Sequence, residues 1–214
     1  MKTKLFLFIC LLMATVCIKA QEANLKMKFD FSNVTGTSVK DDVSGITATL
    51  VNNAKVMSMG KYKVLDLGNG TGYLNMTAAA GKMFSQNDDF SISVYYRVNE
   101  EASLSGNGFF LWSFATTENT TATAGKYSAY RLNAQRFASS NGGYQNETGM
   151  EMGTASDKGR WIHVAYTEKG GKGVLYIDGK AVKTKTGMHK NSTNFGSIAV
   201  NHCWLGRAPF TADK

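Results

Sequence analysis

The chain has 214 residues, 43% of them hydrophobic, and its formal net charge is +8. This length is enough for one domain with a substantial hydrophobic core. Its basic residues are spaced among Thr, Gly and Ser residues, and they do not form a block of the kind that binds nucleic acid. The composition therefore argues against a nucleic-acid partner.

The first twenty residues have the parts of a secretory signal peptide. Lys2 and Lys4 supply positive charge, residues 5–17 are apolar, and Ala20 is a small residue at the expected cleavage point. The apolar run is shorter than the roughly 20 residues that a membrane-spanning helix needs. We therefore expect a signal peptide over residues 1–20 and one mature domain over residues 21–214. That domain is expected to be secreted, periplasmic or on the cell surface, and not to span a membrane.

Cysteine usage fits the same compartment. Cys10 and Cys17 fall in the expected signal peptide, so Cys203 is the only cysteine of the mature chain. A secreted domain with one cysteine has no internal disulfide and must be stabilised by its core. The neighbouring Trp204 and Leu205 favour a buried Cys203 that acts as a small apolar side chain.

Short β-rich segments, separated by turns rich in Gly, Asn and Thr, run through the mature chain. Strands are predicted over residues 24–31, 46–51, 62–67, 90–98, 108–114, 127–133, 136–138, 161–167, 174–177, 180–182 and 201–205. One or two turns of helix are predicted over residues 77–84, interrupted by Gly81, and no other helix is expected in the mature chain. Residues 32–45, 117–126, 139–157 and 184–194 are expected to be turns and loops. This pattern predicts an all-β fold, a sandwich of two antiparallel sheets.

Residues 90–98 give the clearest strand pattern. Residues at even positions are apolar or aromatic, and residues at odd positions are mostly polar. One face is therefore expected to meet the core and the other to meet solvent or a ligand. The core face comprises Phe90, Ile92, Val94, Tyr96 and Val98, and the other face comprises Ser91, Ser93, Tyr95 and Arg97.

Residues 159–182 predict three consecutive antiparallel strands. A Gly-rich turn over residues 169–173 separates the first two strands. Asp178-Gly179 separates the last two, and this dipeptide is typical of a tight hairpin turn because both of its residues need positive φ.

The same stretch carries a resemblance to a known family. Trp161-Ile162-His163-Val164-Ala165, followed by Leu175-Tyr176-Ile177-Asp178-Gly179-Lys180, resembles the paired strands of a laminin G-like domain of the concanavalin A-like lectin/glucanase superfamily. Residues 29–31, 89–94 and 204–207 resemble other strands of that family. The resemblance implies a jelly roll of two curved antiparallel sheets. Trp161 and His163 are expected to hold the sandwich together.

The resemblance also implies a final strand that this sequence does not include. Such domains continue, after the strand that resembles Trp204–Arg207, into a final strand that returns beside the first. This chain stops at Lys214. We therefore expect the sequence to be part of a longer protein, with a first strand that lacks its partner.

A sugar-binding site needs an exposed aromatic surface with directional hydrogen-bonding partners. Several aromatic, arginine and asparagine side chains on or beside the predicted strands could supply one. The candidates are Tyr95, Trp112, Tyr130, Arg131, Asn133 and Arg136. Packing in the core is the alternative explanation for each of them.

The sequence shows no catalytic pattern. Laminarinase-like enzymes of the superfamily place paired carboxylates at alternating positions of one strand, whereas the acids of this chain are scattered. Glu147 and Glu151 lie four residues apart in a polar stretch. No required cofactor is expected. The resemblance makes a structural calcium ion possible, and Asp41 and Asp42 are chemically suitable ligands for it.

These observations predict a secreted, non-catalytic module that binds carbohydrate or docks to a downstream domain of the same protein. It would be the N-terminal accessory part of a longer glycan-active or surface protein. A polysaccharide or other glycan is the expected ligand. A laminarinase-type glycoside hydrolase and a structural or adhesion spacer without a small ligand remain the alternatives.

Overall fold

A computed structural model describes residues 24–68, 70–104 and 106–213. The expected signal peptide, residues 1–20, lies outside the described residues. Among the helices of the described part, none has the length and apolar character to cross a membrane.

Strands make up most of the regular structure. They are β1 (Val34–Thr35), β2 (Ser38–Lys40), β3 (Thr47–Val51), β4 (Lys55–Met59), β5 (Tyr62–Asp66), β6 (Tyr73–Asn75), β7 (Phe90–Arg97), β8 (Phe110–Ala115), β9 (Tyr127–Arg131), β10 (Arg136–Ser140), β11 (Glu147–Glu151), β12 (Trp161–Lys169), β13 (Lys172–Ile177), β14 (Lys180–Thr186) and β15 (His202–Leu205). Among the described residues, the α-helices are α1 (Thr77–Ser85) and α2 (Asn191–Phe195), and short 3-10 turns cover Tyr144–Asn146 and Thr211–Asp213.

The strands form two main antiparallel sheets. The large sheet has nine strands in the order β1-β2-β3-β6-β15-β8-β9-β10-β11, and the small sheet has four in the order β14-β13-β12-β7. Strands β4 and β5 form a separate hairpin. The predicted two-sheet antiparallel sandwich is confirmed.

The inner faces of the two sheets form the core. Large side chains from both sheets are fully buried there, and the Phe137 and Tyr166 rings stack across the interface with centroids 3.6 Å apart. The small sheet contributes alternate residues of β12, because successive side chains of a strand point to opposite faces. These residues are Ile162, Val164 and Tyr166.

The centre of the large sheet is covered on its outer face as well. Ala208 and Phe210, in the segment that follows β15, pack against the side of the sheet that faces away from the core. The Phe210 ring lies 5.1 Å from that of Tyr127 and 5.8 Å from that of Phe110. Strands β8 and β9 are therefore buried on both faces.

Cys203 agrees with its prediction. It is a free cysteine, fully buried on β15. Burial raises the pKa of its thiol to about 12, so the thiol is protonated at neutral pH.

The predicted first strand is wrong. Residues 24–31 are not in a strand, although Met27, Phe29 and Phe31 pack against the core as their alternation suggested. The main chain of Lys28 bonds instead to the turn that follows β2. Its N–H donates to the Asp41 carboxylate and its carbonyl accepts from the Asp42 N–H. These bonds replace those that a neighbouring strand would make.

Other elements also differ from the sequence prediction. Strands β1 and β2 lie in the predicted turn region 32–45, and β4 was not predicted. Helix α1 continues through Gly81, α2 lies in a region expected to be loop, and β11 lies within the polar stretch 139–157. Gly81 is tolerated because α1 lies against the loop before β15. A β-carbon at position 81 would be 1.7 Å from the Val200 carbonyl oxygen. The glycine therefore permits close packing.

Glu168 is a buried carboxylate at the end of β12. It is 3% exposed, and the Tyr166 hydroxyl donates a hydrogen bond of 2.7 Å to its Oε2. Burial raises its pKa, and the nearby Asp88 and Asp89 act in the same direction. The folded protein therefore binds a proton at Glu168 more tightly than the unfolded chain does. Proton binding at Glu168 stabilises the fold at low pH, and this stabilisation is lost as the pH rises through the pKa of Glu168 in the folded protein.

We expect Glu168→Gln to stabilise the protein at pH 8 by about 1 kcal/mol, because it removes a buried charge and keeps the acceptor for Tyr166. The gain should shrink at pH 4.5, where wild-type Glu168 binds a proton. Urea unfolding at both pH values measures the difference. An equal effect at both pH values would contradict this assignment.

Candidate functional site

The outer face of the small sheet carries an exposed aromatic surface. Tyr95 on β7 and Trp161 on β12 are 70% and 43% exposed. The antiparallel register places Tyr95 directly opposite His163, and Trp161 opposite Arg97. All four side chains therefore lie on one face. We call Tyr95, Trp161 and His163 the aromatic platform.

The platform is held in place by ring stacking and hydrogen bonds. The rings of Tyr95 and His163 stack with centroids 4.5 Å apart and planes at 28°. His163 Nε2 and Ser93 Oγ are 2.8 Å apart, within hydrogen-bonding distance. Both strands belong to a sheet whose opposite face is core, so the rings stand on a rigid support.

The Asp178-Gly179 turn supports the platform from the side. Both residues have positive φ, 49° and 78°, as the sequence predicted for this hairpin. Asp178 Oδ1 accepts a hydrogen bond of 2.9 Å from the His163 N–H, and Arg160 Nη1 donates to Asp178 Oδ2 at 2.9 Å. These two hydrogen bonds, in that order, lower the pKa of Asp178. Asp178 is therefore an anion at neutral pH and fixes the strand beside Trp161.

Cationic and polar groups border the platform. The Arg97 Nε donates to the Gly159 carbonyl at 3.2 Å, and Arg160 is bound by Asp157 at 2.7 Å as well as by Asp178. Exposed rings beside fixed hydrogen-bond donors suit a ligand with flat apolar patches and many hydroxyl groups.

The structure does not bring the six candidate residues of the sequence analysis together. Tyr95 lies on the platform. Trp112 and Tyr130 are 0% exposed, and their rings stack in the core with centroids 4.8 Å apart. These two aromatics therefore cannot form an exposed surface. Their strands are buried on both faces, so alternation along the sequence could not indicate a solvent-facing side.

The remaining three candidates lie at or beside the turn that joins β9 to β10, and each contacts another part of the chain. Arg131 Nη1 donates to Asn107 Oδ1 at 2.8 Å, and the Asn133 side chain donates to the Gly106 carbonyl. Arg136 forms ion pairs with Glu147 and Glu151.

The expectation for Trp161 and His163 was also wrong. Both were expected to hold the sandwich together, but their side chains point away from the core. The alternate residues of the strand, Ile162 and Val164, face the core instead. In the sequence, Ile162, Val164 and Tyr166 form one apolar row, but Trp161, His163 and Ala165 on the other face are also apolar or aromatic. A run with apolar residues on both faces does not show which face is buried.

Glu147 and Glu151 share one face of β11, a pairing that sequence reasoning missed because β11 was not predicted. Arg136 binds both carboxylates, with Nη1 2.5 Å from Glu147 and Nε 3.3 Å from Glu151. The Tyr127 hydroxyl also donates to Glu147. Arg136 therefore occupies the space between the two acids, where a hydrolase would hold the glycosidic oxygen.

Asp41 is used to close a turn. Its carboxylate accepts hydrogen bonds from the main-chain N–H groups of Lys28, Ser44 and Gly45, and from the Ser44 hydroxyl. Burial opposes ionisation, but these bonds outweigh it and lower the pKa of Asp41. Within the described residues, no group of three or more His, Cys, Asp and Glu side chains is arranged to hold a metal ion. Both carboxylate oxygens of Asp41 are therefore engaged by N–H and O–H donors of the turn.

Comparison with solved structures supports the fold. The structure is similar to domain 4 of an extracellular GH43 arabinanase from Geobacillus stearothermophilus, solved in complex with arabinotriose. The TM-score is 0.60 at 13% identity, and the match covers 84% of this chain and 82% of that domain. It is also similar to a mutant Trypanosoma rangeli sialidase that displays trans-sialidase activity, with a TM-score of 0.50 and 14% identity. That match covers 84% of this chain and 27% of the sialidase.

Sequence comparison gives the family. No curated protein sequence matches the chain. A laminin G family model, described as the concanavalin A-like lectin/glucanases superfamily, matches residues 68–213, well over half of the chain. The fold and this match agree with the resemblance found in the sequence. The chain therefore belongs to the concanavalin A-like lectin/glucanases superfamily.

Proposed function

We propose that this protein is a secreted, non-catalytic carbohydrate-binding module whose ligand stacks on the aromatic platform. The main observation that supports this proposal is the placement of Tyr95, Trp161 and His163 on one exposed face of a rigid strand pair. A pyranose or furanose ring has an apolar face that can stack on such rings and hydroxyls that accept from Arg97. The fold similarity to an arabinanase domain solved with arabinotriose is consistent with this role.

The proposal assigns no catalysis to the domain. Arg136 separates the one pair of same-face carboxylates identified on β11, so the geometry favours binding over hydrolysis. The site also uses no metal ion, because stacking and hydrogen bonds supply the contacts. Treatment with EDTA should therefore leave glycan binding unchanged. Release of reducing sugar from arabinan or β-glucan by the purified protein would instead support a hydrolase.

The platform gives a direct test by mutation. We expect Tyr95→Ala and Trp161→Ala each to weaken binding to a soluble polysaccharide by about tenfold or more, because each removes a stacking ring worth about 1.4 kcal/mol or more. Affinity electrophoresis against arabinan, xylan and laminarin identifies the ligand, and calorimetry then measures Kd.

Tyr62→Ala is the matched control. Tyr62 is 65% exposed on β5, outside the small sheet, so its loss should leave Kd unchanged. The melting temperature of all three variants should stay close to that of the wild type. Binding that survives the loss of both Tyr95 and Trp161 would refute the platform as the glycan site.

A further inference from the structure

A further aromatic side chain lies on the same outer face as the aromatic platform. Ala165 follows His163 on that face of β12, and the antiparallel register places Tyr176 of β13 directly opposite Ala165. Leu175 is fully buried, so the side chain of Tyr176 points to the outer face, where it is partly exposed. Tyr176 and the platform therefore share one face of three neighbouring strands.

These rings follow the direction of β12. Trp161 is the first residue of the strand, His163 lies two positions later with Tyr95 beside it, and Tyr176 is level with the position two further on. With about 3.4 Å per residue and about 4.8 Å between strands, the Cα atoms of Trp161 and Tyr176 are roughly 14 Å apart. We call the platform together with Tyr176 the aromatic stripe. One sugar ring is too small to contact both of its ends.

Small side chains fill the middle of the stripe and the sheet surface beyond it. Ala165, with Ser93 opposite it on β7, lies between His163 and Tyr176. A ligand can therefore lie flat across Ala165. The next row across the sheet is also uncharged and offers three hydroxyl groups to a ligand that continues past Tyr176. This row consists of Ser91, Thr167, Val174 and Thr184.

The other end of the stripe lies at the end of the sheet. Trp161 begins β12 and is 43% exposed, and Arg97, opposite it, ends β7 and is also exposed. A site for the end of a sugar chain would be a concave pocket that encloses the terminal sugar. A flat stripe from which a ligand can continue in both directions instead suits the interior of a chain.

We propose that the aromatic stripe binds the interior of an extended, linear polysaccharide chain, which runs along β12 from Trp161 to Tyr176. This inference rests on the proposed carbohydrate-binding function. It adds Tyr176 as a further stacking ring and Ala165 as the position over which the chain passes. A short oligosaccharide needs only the platform, whereas a longer one also reaches Tyr176. Tyr176 therefore determines the preference for long ligands.

Ligand length gives the first test. The probes are linear oligosaccharides of arabinose, xylose or β-1,3-linked glucose, from disaccharide to hexasaccharide, and calorimetry measures their Kd. The Kd of the wild type should fall by about tenfold from disaccharide to hexasaccharide, because the longer ligand gains a stacking ring worth about 1.4 kcal/mol. On the linear polysaccharide, many protein molecules should bind per chain. A protein that binds chain ends would saturate at one molecule per end.

Two pairs of variants test the path of the chain. Tyr176→Ala should raise the Kd of the hexasaccharide by about tenfold and change that of the disaccharide by less than about twofold. Tyr176→Phe keeps the ring and should stay within about threefold of the wild type. Ala165→Lys puts a long side chain in the path and should have the same selective effect as Tyr176→Ala, whereas Ala165→Ser should not. Tyr62→Ala, outside the small sheet, should leave every Kd unchanged.

The outcomes separate this inference from the proposed function. If neither the polysaccharides nor the oligosaccharides bind, both are wrong. If they bind with a Kd that does not depend on length, or with one protein molecule per chain end, only the extended site is refuted. The same holds if Tyr176→Ala and Ala165→Lys leave the Kd of the hexasaccharide unchanged. Both side chains lie on the outer face, so the melting temperatures should stay close to that of the wild type, and the Ala165 pair decides the question if Tyr176→Ala unfolds.

Discussion

Replacing Tyr130 with alanine should lower the free energy of unfolding by about 3–5 kcal/mol, the range for a large aromatic lost from a core. Tyr130 is fully buried and its ring stacks on Trp112 at 4.8 Å. The loss removes that contact and leaves a cavity between the sheets. At about 2–4 °C per kcal/mol for a domain of this size, the melting temperature should fall by roughly 6–20 °C. Differential scanning calorimetry measures the shift.

Two further variants separate packing from the hydroxyl group. Tyr130→Phe keeps the ring and removes a hydroxyl that has no hydrogen-bond partner among the described residues, so it should change stability by less than about 1 kcal/mol. Tyr95→Ala should leave the melting temperature almost unchanged, because Tyr95 is mostly exposed. If Tyr130→Ala melted like the wild type, Tyr130 could not be a core residue.

Replacing Gly81 with alanine should destabilise the protein by about 3 kcal/mol or more. Helix propensity alone predicts a gain of about 1 kcal/mol, because alanine is a better helix former than glycine. The new methyl group, however, would lie 1.7 Å from the Val200 carbonyl oxygen and 2.8 Å from Cys203 Sγ. Main-chain atoms must move to relieve this contact, so the steric cost exceeds the gain in propensity. Urea unfolding of the variant gives the net sign.

Ala79→Gly provides the reference for propensity in the same helix. Ala79 is exposed, so this change should cost only about 1 kcal/mol, without any packing effect. A stabilised Gly81→Ala variant would mean that α1 does not pack closely against the loop before β15.

The parts of the fold that the sequence predicts best are those with a clear local pattern, either alternation along a strand or a turn dipeptide. The alternation in residues 90–98 and the Asp178-Gly179 turn gave β7 and the β13–β14 hairpin correctly, because each signal depends on local geometry. The strand predicted over residues 24–31 failed for a non-local reason. Its alternation is real, but Asp41 and Asp42 bind its main chain, and only the folded chain brings these segments together.

The candidate site was predicted less well than the fold. Tyr95 was identified because its strand alternates clearly between apolar and polar residues. The sequence does not show that Trp161 and His163 are exposed, because their strand is apolar or aromatic on both faces, and only the pairing with β7 shows which face is exposed. Trp112 and Tyr130 were candidates for a binding surface with core packing as the alternative, and the structure places both in the core. The segment that covers the outer face of their sheet, Ala208 with Phe210, is distant in sequence.

The position of β15 has a consequence for how the chain folds during synthesis. This strand lies between β6 and β8, so β6 and β8 are joined in the large sheet through a strand that comes much later in the chain. Leu74 pairs with Leu205, about 130 positions later in the chain. Contacts so distant form slowly, because the intervening loop must close first. We therefore expect the two halves of the large sheet to stay unjoined in a growing chain until His202–Leu205 emerge, which leaves strand edges open to pairing with other chains.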